Sequence, residues 1–208
     1  MRSRTDRRTP QRSDARRDTI LDELEISLQH TDFEGINIAE VAERAGVSRS
    51  AFYFYFENKA AAVAALMERM IDDTFFVTDV FTLAEQTPQA RVHIMLDGLF
   101  DTWERHRHMF RAMLEARGHS LAVREFWDEA RLSFVDSVAA MIRAERARGA
   151  APDGVDATVL ATVLLEVNDR LLERLTFGGP LDRDQLLDGA AAVWLGTLYG
   201  IAAQPDAK

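Results

Sequence analysis

The chain has 208 residues, of which 47% are hydrophobic, 28% are charged and none is cysteine. That composition suits a packed core, in one domain or in a small and a larger one, and it excludes disulfide frameworks and thiolate chemistry. The net charge of −9 is uneven: residues 1–17 hold seven arginines against Asp6 and Asp14, a net of +5, which leaves −14 for the remainder.

The basic stretch reads either as a flexible soluble tail or as an arm that meets a phosphate backbone. It has no apolar core behind it, so it is not a secretory signal. The longest uncharged stretch, 189–205, contains Gly, Gln and Pro. Its apolar part is shorter than the roughly 20 residues that a membrane span needs. The expectation is a cytoplasmic protein with no membrane partner.

Helical spacing dominates the chain. Ile20, Leu21, Leu24 and Leu28 predict a first helix over about 14–30. A long pattern rich in Ala, Leu and Met predicts a helix from Ala60 to Leu83, ahead of Pro88. Gln89–Arg105 and Met109–Arg117 predict two more. Leu121–Arg148 predicts a long one, stopped by Gly149 and Pro152 with Arg146 and Arg148 at its C-terminal dipole. Val155–Phe177 and Asp184–Ile201 predict the last two, separated by Gly178-Gly179-Pro180. The fold class is all-α.

The stretch AGVSRSAFYFYF, 45–56, ends in five consecutive aromatics. Alternating Phe and Tyr would suit a half-buried strand. The residues before it decide otherwise. Asn37 is a good N-cap, Glu40 completes a capping-box-like pattern, and Ile36 and Val41 stand at hydrophobic-staple positions. Gly46 supplies a positive φ, and Ser48 caps a second short helix. The result is a helix-turn-helix in which small Ala42 allows close crossing and Phe52 pins the second helix to the first. Phe52, Tyr55 and Phe56 then share one helical face. Arg49 and Ser50 lie on the exposed first turn, where base contacts are made, while Lys59 can reach a phosphate and tyrosine hydroxyls can do the same. A helical hairpin with a large aromatic core and no DNA contact is the competing reading.

INIAEVAERAGVSRSAFYFYFENKAAAV, 36–63, resembles the DNA-binding domain of the TetR family of bacterial transcriptional regulators. ERARGAAP (145–152), VNDRLL (167–172) and VWLGTLYG (193–200) are similar to the ethionamide-resistance repressor subgroup of that family. The resemblance implies about nine helices. It divides the chain into a basic flexible arm (1–17), a helix-turn-helix DNA-binding domain (18–57) and a ligand-binding and dimerisation domain (58–208). The implied DNA-binding residues are Asn37, Ser48, Arg49, Ser50, Ala51, Tyr53, Tyr55 and Lys59, facing a double-stranded DNA operator. Family members often carry Pro-Thr or Gly-Thr where this chain has Ser50-Ala51, so the resemblance does not set the operator sequence.

An apolar-all-round stretch, Ala190–Ile201, needs burial on all sides, which a homodimer through the last two helices would supply. Asn168-Asp169-Arg170 is a polar exception on a helix of Leu and Val, which reads either as a solvated or interface face or as polar groups placed at an apolar pocket. The resemblance places Asn168 at an elongated apolar tunnel for a small hydrophobic effector. It implies Leu99, Trp103, Trp127, Phe134 and Trp194 as further lining, and an effector that weakens operator binding, as in a repressor. Glu173 stands where the resembled repressors look aromatic, so it either changes ligand preference or points elsewhere.

No cofactor is expected and no enzyme motif occurs: there is no Gly-x-Ser-x-Gly and no phosphate loop. His106 and His108 suggest a metal site only briefly. Alternate residues on a helix diverge by about 200°, and the flanking arginines repel cations, so metal ligands are expected to be none. A helical protein-interaction adaptor that never touches DNA is the remaining alternative.

Overall fold

The computed structural model describes residues 12–74 and 86–200. Among these residues the chain forms nine helices and no strand: α1 Arg12–Leu28, α2 Ile38–Arg44, α3 Arg49–Tyr55, α4 Lys59–Thr74, α5 Pro88–Arg105, α6 Arg107–His119, α7 Leu121–Ala147, α8 Ala157–Phe177 and α9 Arg183–Tyr199. The first helix starts earlier than its apolar spacing suggests, so residues 12–17, expected in the basic arm, are helical; Arg is a good helix former. Residues 1–11 of the expected arm, and 75–83 of the helix expected from 60 to 83, lie outside the described residues.

Local chemistry sets most boundaries. Thr87, Ser120, Asp156 and Asp182 cap α5, α7, α8 and α9, each accepting a backbone N–H from the following turn. At α9 the reciprocal bond from Asp182 N–H to the Gln185 side chain completes a capping box. Asp156 moves the start of α8 past the expected Val155. Gly200 ends α9 in the left-handed region at φ 65°, so the helix stops short of the expected Ile201.

α1, α2 and α3 pack as a small unit, and α1 also lies on α4 and α6. α7 runs along α8, while α9 packs on α5 and α8. One apolar cluster extends from Ile20 and Phe52 through Met67 to Phe100, Trp103, Phe110 and Trp127. A second is built from α5, α7, α8 and α9 around Leu96, Ile142, Leu164 and Trp194.

Two polar groups interrupt the helical packing. Glu145 is buried on α7, where it accepts from Arg91 Nη2 (3.0 Å), Tyr199 Oη (2.9 Å) and Arg148 Nη2 (2.6 Å). This ties α5 and α9 to α7. Burial together with the Glu145 carboxylate pushes the Tyr199 hydroxyl up to about 12. Asp169 on α8 faces Arg131 at 3.3 Å, and Arg131 also meets Glu166 at 2.9 Å. Burial raises the Asp169 carboxyl from the ordinary 3.8 to about 6, outweighing the attraction of Arg131.

Two stability predictions follow from these groups. Glu145→Ala leaves Arg91, only 2% exposed, without its carboxylate. It should cost about 3–5 kcal/mol, whereas Arg148→Ala should cost under about 1 kcal/mol. Urea denaturation at fixed protein concentration separates the two. For Asp169 the folded pKa lies above the unfolded one, so the contribution is favourable at low pH and is lost as pH rises from 3.8 to about 6. Asp169→Asn should therefore raise the urea midpoint above pH 6, with the gain vanishing near pH 4; an unchanged difference across that range would contradict it.

Candidate DNA interface and effector site

The helix-turn-helix forms as its local sequence predicts. Asn37 Oδ1 accepts from Ala39 N–H at 3.0 Å. Glu40 does not return to the backbone of Asn37; it accepts from Asn37 Nδ2 at 3.0 Å, so this is a side-chain pair and not a reciprocal box. Ile36 and Val41 are both buried at the staple positions. Gly46 has φ 66°, which allows Val47 N–H to reach back to Ala42 O at 2.9 Å. Ser48 Oγ accepts from Ala51 N–H at 3.1 Å and opens α3.

α3 is held from behind. Phe52 and Phe56 are buried with rings 5.4 Å apart, and Arg17 of α1 lies over Phe56 at 5.5 Å. Tyr55 is half-buried against the same core. Arg49 and Ser50 are exposed, Ala51 is half-exposed, and Tyr53 is open to solvent. The Arg49 guanidinium rests 5.7 Å from the Tyr53 ring centre, an attraction that orders it on the exposed face. Phe54 is the most exposed ring of the five, at 79%, and sequence reasoning did not single it out. Its signal was available, since two residues from Phe52 on a helix is the opposite side.

Lys59 is not free. Its Nζ donates to Glu34 O at 3.1 Å and lies 4.5 Å from the centre of the Phe33 ring. It therefore fastens the α1–α2 loop to the start of α4. The same loop is gripped by α6: Phe33 N–H donates to Glu115 Oε2 at 3.0 Å, the His119 ring stacks on Phe33, and His119 Nε2 stands 3.2 Å from Glu34 Oε1. Glu115 and His119 carry no local signal of this role, because their partners lie more than eighty residues away in the chain.

The residues expected at the effector site fall into two groups. Trp103 stacks on Phe110 with ring centres 3.6 Å apart, and Phe110 meets Trp127 edge-on at 6.5 Å. Trp103 Nε1 donates to Thr176 Oγ1 at 2.6 Å, and Leu99 is partly buried against the apolar cluster that contains these rings. Trp127 Nε1 is buried without a hydrogen-bond partner among the described residues. In the second group, Asn168 Oδ1 accepts from Trp194 Nε1 at 3.0 Å, both side chains being buried. Phe134 is half-buried on α7. Glu173 turns to arginines, 2.9 Å from Arg170 and 3.6 Å from Arg117.

Comparison with known proteins agrees with this architecture. Residues 20–66 match the family model described as bacterial regulatory proteins, tetR family. Residues 92–200 match the model described as the C-terminal domain of transcriptional regulator EthR. The chain is 34% identical over 202 residues to the HTH-type transcriptional regulator EthR of Mycobacterium tuberculosis, covering 93% of this chain and 92% of that one. Its fold is similar to a TetR-family regulator from Mesorhizobium loti, with TM-score 0.71 at 16% identity over 91% of this chain and 99% of the other. It is also similar to FadR from Bacillus subtilis, solved with stearoyl-CoA, with TM-score 0.67 at 16% identity over 88% and 98%. No described helix is long and apolar enough to cross a membrane. A helix-turn-helix on a helical body and a family match over most of its length make this chain a member of the TetR family of DNA-binding transcriptional regulators, and not an enzyme.

Proposed function

We propose that the protein is a cytoplasmic repressor that binds a two-fold symmetric operator as a dimer and leaves it when a small apolar ligand binds among α5–α9. The observation that carries this reading is the two-sidedness of α3. Its buried rings fix the helix, while Arg49, Ser50 and Ala51 are turned outward for base edges. Asn37, Ser48, Tyr53 and Tyr55 are assigned to backbone phosphates, with Lys59 contributing the donors that its Glu34 contact leaves over.

The dimer is assigned to α8 and α9. Val159 and Val163, each 53% exposed and one turn apart, lie on the outer side of α8. On α9 the outer side carries Gly189, Val193 and Gly196, small enough for a partner backbone to approach. In such a dimer, two copies of α3 about 34–36 Å apart would read successive turns of DNA.

The effector site is assigned to Leu99, Trp103, Trp127, Phe134, Asn168 and Trp194. The Trp127 N–H, without a partner among the described residues, supports a ligand with an acceptor on an apolar body, because an unmatched buried donor is costly. The Asn168–Trp194 bond supports a second polar anchor, which a ligand would engage by exchanging one partner for another.

Selection from a random duplex library at fixed salt should enrich a two-fold symmetric site, and recovery of only salt-sensitive background binding would contradict the proposal. Arg49→Ala should weaken that site by about 1–3 kcal/mol and relax preference at one position in each half. Val163→Asp should convert the dimer to a monomer in light scattering while leaving helical content unchanged. A dimer that persists would remove α8 from the interface.

A further inference from the structure

A cleft of about 680 Å³ lies between the end of α1 and the start of α6, and none of the residues assigned to operator or effector lines it. One wall is formed by residues 28–32, including His30 and Asp32. The other is formed by Arg107, His108, Arg111 and Ala112. Its volume falls within the range of small-molecule sites. Its chemistry differs from that of the aromatic group, because two guanidinium and two imidazole side chains stand in the lining.

The charges are partly matched: His108 Nε2 stands 3.7 Å from Glu25 Oε1 of α1. Among the described residues Arg107 makes no salt bridge; its Nη2 donates to the backbone carbonyl of Thr176 at 2.9 Å. Arg111 Nε donates to Glu115 at 2.9 Å, leaving further N–H donors on a side chain that is half exposed. The one carboxylate of the lining, Asp32, accepts from Gly35 N–H at 3.0 Å. The cationic wall is also the first turn of α6, where no side chain caps the helix. The opposite wall follows the C-terminal end of α1, whose carbonyls and Asp32 favour a donor.

We infer that this cleft is a second ligand site, for a small molecule bearing a phosphate or carboxylate group at one end and a hydrogen-bond donor at the other. The anionic end meets Arg107 and Arg111, and the donor end meets Asp32. An occupant touches α1 and α6 together, so its binding is linked to how the helix-turn-helix unit sits on the body. An anionic metabolite would thereby tune operator affinity independently of the apolar effector.

Calorimetry on the full-length protein without DNA tests this, with inorganic phosphate and succinate as the two probes at constant ionic strength. At least one probe should bind saturably with a Kd of about 1 mM or tighter. Arg107→Gln and Arg111→Gln should each weaken it about tenfold or more, Arg107→Lys less so, and Arg49→Ala not at all. In the wild-type protein the imidazole NMR signals of His30 and His108 should shift with the same saturation. Which probe binds identifies the anion class. Binding by neither, binding unchanged in both glutamine variants, or binding lost in Arg49→Ala would each overturn the assignment. The last outcome would place the anion on the DNA face.

Discussion

Phe52 on the recognition helix and Trp103 in the aromatic group belong to one contiguous apolar cluster, and most of the molecule's behaviour depends on that continuity. A seven-residue helix such as α3 has marginal stability alone. It exists because Phe52 and Phe56 are buried in that cluster, each contributing about 1.5–3 kcal/mol. The same apolar cluster contains Ile20, Leu24 and Met67, and also Phe100 and Phe110. A close-packed interior transmits a displacement better than it absorbs one. A change at Trp103 therefore has a mechanical route to α3 with no dedicated wire.

Polar contacts give that route its direction. α6 grips the α1–α2 loop through Glu115 and His119, while Lys59 holds the same loop from α4. Arg69 on α4 adds contacts to Asp22 and Glu25 of α1. Most of these pairs are partly exposed, so each contributes little to stability. They join α1 and the α1–α2 loop to α4 and α6 at several points. By contrast, the Glu145 network is buried and costly to break. It anchors α5 and α9 to α7.

Local order was legible in the sequence, and long-range order was not. Asn37, Gly46, Ser48 and Phe52 could be placed because capping, positive φ and helical spacing act within a few residues. All helices could be counted for the same reason. The start of α1 and the end of α9 were harder: the Arg-rich run hid a helix that Arg tolerates well, and the apolar run to Ile201 hid the stop at Gly200. Asn168 stood out as polar, but its bond to Trp194 joins residues 26 apart on two helices. The clasp of Glu115 and His119 on Phe33 and Glu34 looked like an ordinary charged helix face. Tertiary pairing leaves no such periodic trace.

Amide hydrogen exchange on the full-length protein, with and without its selected operator, tests the coupling most directly. If the shared core links reading to sensing, operator binding will raise protection in α3 and also in α6 and α7 around Trp103, Phe110 and Trp127. Protection confined to α1–α3, with the aromatic group unchanged, would contradict the account and leave the two ends of the core energetically independent.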